Sequence, residues 1–190
     1  MTRKKNYSIH KRKRLLDNLY KTFDASYIAS DPIQTVHRFD KSDDQEITAV
    51  LASALAFGQV AQINKTISAM LALMNNQPHS YVTRLDPEHE LLRWRAWYYR
   101  MIRPQDILRL MHALKIILQK HASLGSWVES HYRNEDTHLG ITWGRCVDDI
   151  KNVDEKYWHW HRARGVGFRF LLADPAKKSA CKRACLLLRW

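Results

Sequence analysis

Several features that would mark particular classes of protein are missing from this 190-residue chain. It has only three cysteines, an odd number, so we expect a reducing compartment rather than a disulfide framework. No apolar run approaches the roughly 20 residues that a membrane-spanning helix needs. The basic N-terminus is not followed by the apolar stretch of a secretory signal. These absences predict a cytoplasmic location without a membrane partner: associated with the nucleoid in a bacterium, nuclear in a eukaryote.

Acidic residues are scarce at both ends of the chain. Residues 1–14 hold seven Lys or Arg and no acid, and residues 156–190 hold nine with one acid, Asp174. The net charge is +12, so residues 15–155 are slightly acidic. Cationic charge segregated in this way is typical of a surface that binds a polyanion. We therefore expect nucleic acid, duplex DNA first, as the partner. The alternative is a solvated arm and a solvated helix face.

Alternation of period two, the mark of a half-buried strand, is also missing. Apolar residues recur at helical spacing instead, which predicts an all-α fold of about seven to nine short helices. We expect 1–14 to be a basic flexible arm and 15–190 to be one helical domain. Residues 152–170 show no clear periodicity and are predicted to be irregular.

Local signals predict where several helices begin and end. Ser42-Asp43-Asp44-Gln45 fits a capping box with acidic residues in the first helical turn. Asp86-Pro87 fits an N-cap followed by proline at the first helical position, and Pro104 begins another helix. Gly58 fits a left-handed C-terminal cap. Gly125 is expected to interrupt the helices on either side of it.

The C-terminal region, about 168–190, predicts a basic turn followed by a helix. The turn is Asp174-Pro175-Ala176-Lys177-Lys178, and the helix opens with Ser179-Ala180-Cys181-Lys182-Arg183. The chain ends at Trp190 within an apolar pattern and without a stop signal. We therefore expect the helical domain to be incomplete at its C-terminus.

Taken together, these residues resemble the helix-hairpin-helix DNA glycosylase superfamily. The chain resembles still more closely an uncharacterised family beside it, a domain of unknown function. The similarity spans most of the chain, and its most specific part is Ser179 to Arg183 followed by Leu188-Arg189-Trp190. The supporting residues are Asp31-Pro32, His37-Arg38-Phe39, Leu55-Ala56-Phe57-Gly58-Gln59, Tyr99-Arg100, Asp106-Ile107-Leu108 and His121 to Ser126.

The resemblance implies a helix-hairpin-helix glycosylase-like bundle and a role in base-excision repair, as a DNA glycosylase and abasic-site lyase. Lys182 would be the nucleophile, which attacks C1′ and forms a Schiff base. Desolvation, or cationic neighbours such as Lys178 and Arg183, would have to lower the pKa of its amine. The turn residues Lys177, Lys178, Ser179 and Arg183 would hold a DNA phosphate. Gln59 would be the polar wedge that fills the gap left by an extruded base.

Two departures from the superfamily pattern favour a non-catalytic nucleic-acid-binding module, or an inactive remnant, as the alternative. The turn has no glycine, and Lys178 stands where relatives carry one. The catalytic aspartate of the superfamily lies in a downstream stretch that this chain does not reach, and no upstream aspartate takes its place by position. A missing preorganised carboxylate costs orders of magnitude in rate.

Other clusters of chemically active side chains are weaker signals. Basic and aromatic residues interleave at 157–164, which favours nucleic-acid contacts from Arg162 and Arg164. His159 and His161 with Cys181 and Cys185 do not reproduce a standard zinc spacing, so no metal is expected. The acidic run Asp148, Asp149, Asp154 and Glu155 is interpreted as a solvated helix end.

Trp94, Trp97, Tyr98 and Tyr99 are interpreted as core residues, with base stacking as the alternative. We expect no cofactor and a monomer.

Overall fold

The computed structural model describes residues 8–22, 25–157, 166–177 and 179–189. Over these residues the fold is all-α, as predicted, with one isolated bridge between Tyr99 and Ile102. There are ten α-helices in this part of the chain: α1 Ile9–Thr22, α2 Ser42–Ala54, α3 Val60–Leu73, α4 Pro78–Arg84, α5 Pro87–Trp94, α6 Pro104–Leu118, α7 Leu124–Ser130, α8 Leu139–Tyr157, α9 Val166–Leu171 and α10 Lys182–Arg189. Short 3₁₀ turns cover Ala25–Ser30, Pro32–Arg38 and Pro175–Lys177.

Helix α6 lies at the centre of the bundle. It packs against α4, α5, α7, α8 and α9. Helix α2 packs against the Pro32–Arg38 turn, α4, α7 and α10. The apolar faces of α2, α3 and α6 meet in one core, whose fully buried members include Ile47, Leu51, Ile67, Met70, Ile107, Met111 and Leu114. Helix α1 has no buried residue.

Two of the predicted helix boundaries are confirmed. Asp86 caps α5, because its carboxylate accepts hydrogen bonds from the backbone N–H groups of Glu88 and His89. Pro104 is the first residue of α6, and the Asp106 carboxylate accepts from the backbone N–H of Arg103 at 2.9 Å. Gly58 has the predicted positive φ, +109°, which a residue with a Cβ adopts only with strain, but it is not the C-cap of α2, which is Leu55.

Other boundaries were predicted wrongly. Helix α2 begins at Ser42, but its N-cap is Lys41 and no side chain caps it. Gly125 lies inside α7 and does not separate two helices; Ser123 caps α7 through its Oγ, which accepts from the N–H of Ser126. Residues 152–170 are not irregular throughout, because α8 runs to Tyr157 and α9 begins at Val166. Helix α1 begins at Ile9, within the predicted flexible arm.

Buried charge fixes α9 against the centre of the bundle. Asp106 in α6 accepts from the backbone N–H of Phe168 at 2.8 Å, so it holds the start of α9 as well as the start of α6. A Cβ at Gly167 would lie 2.1 Å from Oδ2 of Asp106, so the close approach requires glycine. Arg109 stacks over the Phe168 ring at 4.6 Å and forms an ion pair with Asp154 of α8. Asp154 is therefore a buried structural carboxylate and not part of a solvated helix end.

Candidate nucleic-acid interface

The turn between α9 and α10 is built around the Asp174 carboxylate. Its Oδ1 accepts from the backbone N–H of Ala176 at 2.9 Å, and its Oδ2 accepts from Lys151 Nζ at 2.7 Å. Burial alone would raise the pKa of Asp174, but the hydrogen bond and the charge of Lys151 outweigh it and hold that pKa below its usual value. The single acid of the basic C-terminal region is thus engaged inside the protein.

A recess of about 220 Å³ lies beside this turn, and we refer to it as the turn recess. It brings together three of the predicted phosphate contacts, Lys177, Ser179 and Arg183. It also contains Lys151 and Arg169, which were not predicted as contacts. Four cations therefore surround one carboxylate, and Lys177, Ser179 and Arg169 are exposed.

Arg183 is held by the protein itself. Its guanidinium donates to the carbonyl of Ala54, at the end of α2, at 2.9 Å and to the carbonyl of Phe170 in α9. It also stacks over the rings of Phe170 and Phe57, at 4.5 and 5.5 Å from their centroids. Burial lowers the pKa of Arg183 from its ordinary value. These contacts join α10 to α2 and α9, so Arg183 positions the turn recess as well as contributing its charge.

Lys182 is the first residue of α10, and its side chain is exposed. It lines neither the turn recess nor the groove described below. The residue before it, Cys181, has a φ of +49°, so the backbone is left-handed immediately before α10. The predicted neighbour Arg183 is directed to Ala54 and Phe170. Lys178, the second predicted neighbour, lies outside the described residues.

Three aspartates are buried in the described part of the chain, and each has an internal partner. Asp106 accepts from the N–H groups of Arg103 and Phe168. Asp154 is paired with Arg109, and Asp174 is paired with Lys151. None of these carboxylates is left to act as the aspartate that the glycosylase pattern places downstream.

Gln59 lies apart from the turn recess, on the loop between α2 and α3. A cluster of rings and cations holds this loop. The Tyr99 hydroxyl donates to the carbonyl of Phe57, and the Phe57 ring lies 5.0 Å from that of Tyr99 and 4.8 Å from that of Phe170. A Cβ at Gly58 would lie 2.7 Å from Nη1 of Arg100 and 2.9 Å from the Tyr99 hydroxyl. Gln59 is exposed at the N-cap of α3.

Gln59 stands at one end of a groove of about 920 Å³ that runs along α3, and we refer to it as the α3 groove. Its lining includes Lys65, Arg93, Arg100 and the aromatic residues Trp97, Tyr98 and Tyr99. The sequence predicts that the aromatic residues between 94 and 99 belong to the core. Trp94, Trp97 and Tyr99 are buried, as that interpretation requires, but Tyr98 is 66% exposed.

Several predictions fall on residues that are not described: Arg162, Arg164 and Lys178 as DNA contacts, and His159 and His161 as weighed zinc ligands. Across the ranges that the structure describes, no three His, Cys, Asp or Glu side chains are grouped to hold a metal ion. Every helix in those ranges is too short or too polar to cross a bilayer.

Comparison with known proteins places the chain in a family. Residues 31–190, which include the turn recess, the α3 groove and Lys182, match the model of the family described as protein of unknown function (DUF2400). The chain belongs to the DUF2400 family. No curated protein and no solved structure matches it.

Membership of DUF2400 confirms the predicted uncharacterised family. The family description assigns no activity, so the relation to helix-hairpin-helix glycosylases stays a prediction. Helix α1 lies before the matched range.

Proposed function

We propose that this DUF2400 protein binds duplex DNA through the turn recess. The observation that carries the proposal is the concentration of Lys151, Arg169, Lys177 and Arg183 around a turn. Asp174, the one acid among the described residues that line the recess, is already paired. A phosphate backbone attracts such a surface because its counterions are released when Lys and Arg replace them.

The shape of the turn also supports this proposal. Helix α9 leads into the Pro175–Lys177 turn, and α10 follows, so the described residues contain two helices joined by a basic connection. This order agrees with a helix-hairpin-helix glycosylase-like element at about 168–190. Lys177, Ser179 and Arg169 are exposed and can donate hydrogen bonds to phosphate oxygens. Contacts of this kind position a protein on DNA without reading its sequence.

Binding to a fluorescent duplex tests the proposal, measured by anisotropy over a series of salt concentrations. The double variant Arg169→Gln/Lys177→Gln should weaken binding and flatten the slope of log K against log salt by about 2. The matched control is Arg84→Gln/Lys120→Gln, which removes two exposed cations outside the turn recess and the α3 groove. Equal losses in the two double variants would contradict the proposal, and so would a wild-type chain that binds no duplex at low salt.

A second candidate function is abasic-site lyase chemistry at Lys182. The observation that favours it is that the Lys182 amine is exposed. The next residue in sequence, Arg183, lines the turn recess. The amine would condense with the C1′ aldehyde of a ring-opened abasic sugar, release water and form a Schiff base. Borohydride would then deliver hydride to the imine and leave a stable secondary amine between protein and DNA.

Borohydride trapping on duplex DNA with an abasic site separates this chemistry from binding alone. Lys182→Ala should remove the covalent adduct and keep duplex affinity, whereas the matched variant Lys177→Ala should keep the adduct. An adduct that survives in Lys182→Ala would exclude Lys182 as the nucleophile. Binding without any adduct in the wild type would select the non-catalytic DNA-binding module, which the engagement of Asp106, Asp154 and Asp174 favours.

A further inference from the structure

The α3 groove combines the volume of a ligand-binding cleft with a lining that carries charge of one sign. It follows one face of α3 from Gln62 through Lys65 and Ala69 to Leu73, and its opposite side is formed by Arg93 and residues 96–100. Among the described residues that line it, three are cationic and none is acidic. Its volume of about 920 Å³ lies at the upper end of the range for ligand-binding clefts, roughly 300–1,000 Å³.

One wall of the groove contains a buried donor that has no acceptor. Trp97 is 6% exposed, and its Nε1 has no hydrogen-bond partner. The neighbouring Trp94 shows the ordinary arrangement, because its Nε1 donates to the Tyr81 hydroxyl at 2.7 Å. A buried N–H without a partner is costly and calls for an explanation. The Nε1 atom is covered by the protein, so a ligand acceptor reaches it only after the side chains over it move.

The groove continues into a second cavity across the same aromatic pair. Trp97 and Tyr98 also line a cavity of about 390 Å³ that contains Arg95 and Arg103. Both of these arginines are exposed, and no acid lines this cavity among the described residues. The Tyr98 ring thus lies between two cationic depressions, and a base bound in either one can stack on it.

We infer that the α3 groove binds single-stranded DNA, a few nucleotides at a time, with a base stacked on Tyr98 and the backbone along Lys65, Arg93 and Arg100. Cationic grooves with aromatic stacking surfaces are the usual means of holding unpaired strands. A duplex hides the faces of its bases, so it cannot use the Tyr98 ring. An acidic peptide would satisfy the cations but would leave that ring without a flat partner.

The inference rests on the proposed function, since it makes DNA the ligand of both regions. The turn recess and the α3 groove are close in the fold. Phe170 lines the recess and packs against Phe57, and Phe57 packs against Tyr99, which lines the groove. A strand that leaves a duplex held at the recess would therefore meet the groove after this aromatic cluster. Junctions between duplex and single strand are the substrate class that this arrangement favours.

The experiment measures the anisotropy of a fluorescent oligothymidylate of about eight nucleotides and, separately, of a blunt duplex. The groove variants are Tyr98→Ala and Lys65→Gln, both at exposed positions. The matched controls are Tyr132→Ala, at an exposed tyrosine outside the groove, and Lys120→Gln. Trp97→Phe keeps an aromatic ring and removes the Nε1 donor. Thermal melts establish that each variant is folded.

Each groove variant should weaken oligothymidylate binding about fivefold or more, while duplex affinity and both controls change less than about twofold. The inference is overturned if the wild type does not retain the oligonucleotide, if Tyr98→Ala and Lys65→Gln leave its affinity unchanged, or if polyglutamate displaces it as well as an unlabelled strand does. Failure of the proposed function gives a different result. Arg169→Gln/Lys177→Gln would then bind duplex with the affinity of the wild type, regardless of the affinities measured for oligothymidylate.

Discussion

The turn recess and the α3 groove carry charge of the same sign, but they hold it in different ways. In the recess, Lys151 is paired with Asp174, and Arg183 donates to two backbone carbonyls. In the groove, Lys65, Arg93 and Arg100 are all exposed, although Arg93 also pairs with Glu90 at 3.9 Å and donates to Asn75 at 3.2 Å. Cations with internal partners stabilise the scaffold, whereas exposed cations are available to a polyanion. The predictions below test this division, from the largest expected effect to the smallest.

Replacement of Arg183 should have the largest effect, and it should be on folding. Arg183→Ala leaves the carbonyls of Ala54 and Phe170 without their donor and removes the packing against two rings. We expect the free energy of unfolding to fall by about 2–4 kcal/mol, measured by urea denaturation. Arg189→Ala, at an exposed position in the same helix, should cost less than about 0.5 kcal/mol. Unchanged stability with a loss of duplex affinity would instead make Arg183 a direct phosphate contact.

Acid should weaken the turn recess through Asp174. Its pKa is lowered in the folded protein, so its contribution to stability is present above the unfolded value of about 3.9 and is lost as the pH falls through the folded value. Asp174→Asn should cost about 1–3 kcal/mol at neutral pH and should lose less stability than the wild type on acidification. Urea midpoints between neutral and acidic pH measure both effects.

Asp148→Asn is the matched control for that experiment. Asp148 also pairs with Lys151, at 3.1 Å, but its side chain is largely exposed. Its replacement should change stability by well under 1 kcal/mol and should preserve the wild-type pH dependence. If stability depends on pH in the same way in Asp174→Asn and in the wild type, the loss of stability in acid does not come from the Asp174–Lys151 pair.

The loop that carries Gln59 should be sensitive to a single methyl group. Gly58→Ala combines a positive φ with a Cβ close to Arg100 and Tyr99, so we expect a loss of about 1–2 kcal/mol. Gly144→Ala is a control of opposite sign, because nothing lies within 4 Å of its Cβ position in α8. It should stabilise the protein by about 0.5–1 kcal/mol. Thermal melts compare the two, and equal effects would contradict the strain at Gly58.

The smallest effect should come from single exposed lysines and should separate the two surfaces. Lys177→Gln should weaken duplex binding a few-fold and reduce the salt slope by about 1, whereas Lys65→Gln should leave both nearly unchanged. Titrations of one duplex at several salt concentrations measure this difference. Similar losses in both variants would mean that duplex DNA contacts the groove as well as the recess.

Helix starts that depend on adjacent residues were predictable from the sequence. Asp86 and Pro104 gave correct starts because an N-cap and a first-turn proline act within one turn of their own position. The positive φ of Gly58 was predictable for the same local reason, but the end of α2 was not, because its C-cap is Leu55. The start of α7 was predicted wrongly because the Ser123 capping bonds set it, and a glycine such as Gly125 can lie inside a helix.

Within the candidate site, the sequence indicated which residues are basic and aromatic but not what they contact. Lys177, Ser179 and Arg183 line one recess, because the segment that carries them is continuous in sequence. Lys151 was missed because it lies in an acidic stretch, where it is expected to be a solvated partner of its neighbours. Its bond to Asp174 spans 23 residues, and no local pattern reports such a distance.

The sequence by itself determined an all-α chain, several helix boundaries and the concentration of basic charge near the C-terminus, because each follows from local periodicity, capping or composition. Tertiary structure alone decided which of those charges face the protein and which face solvent. Arg183 meets the carbonyl of Ala54 across 129 residues, and Phe168 meets Asp106 across 62. A cation finds a buried acceptor only after the helices have packed, and packing brings together groups that the order of the chain keeps apart.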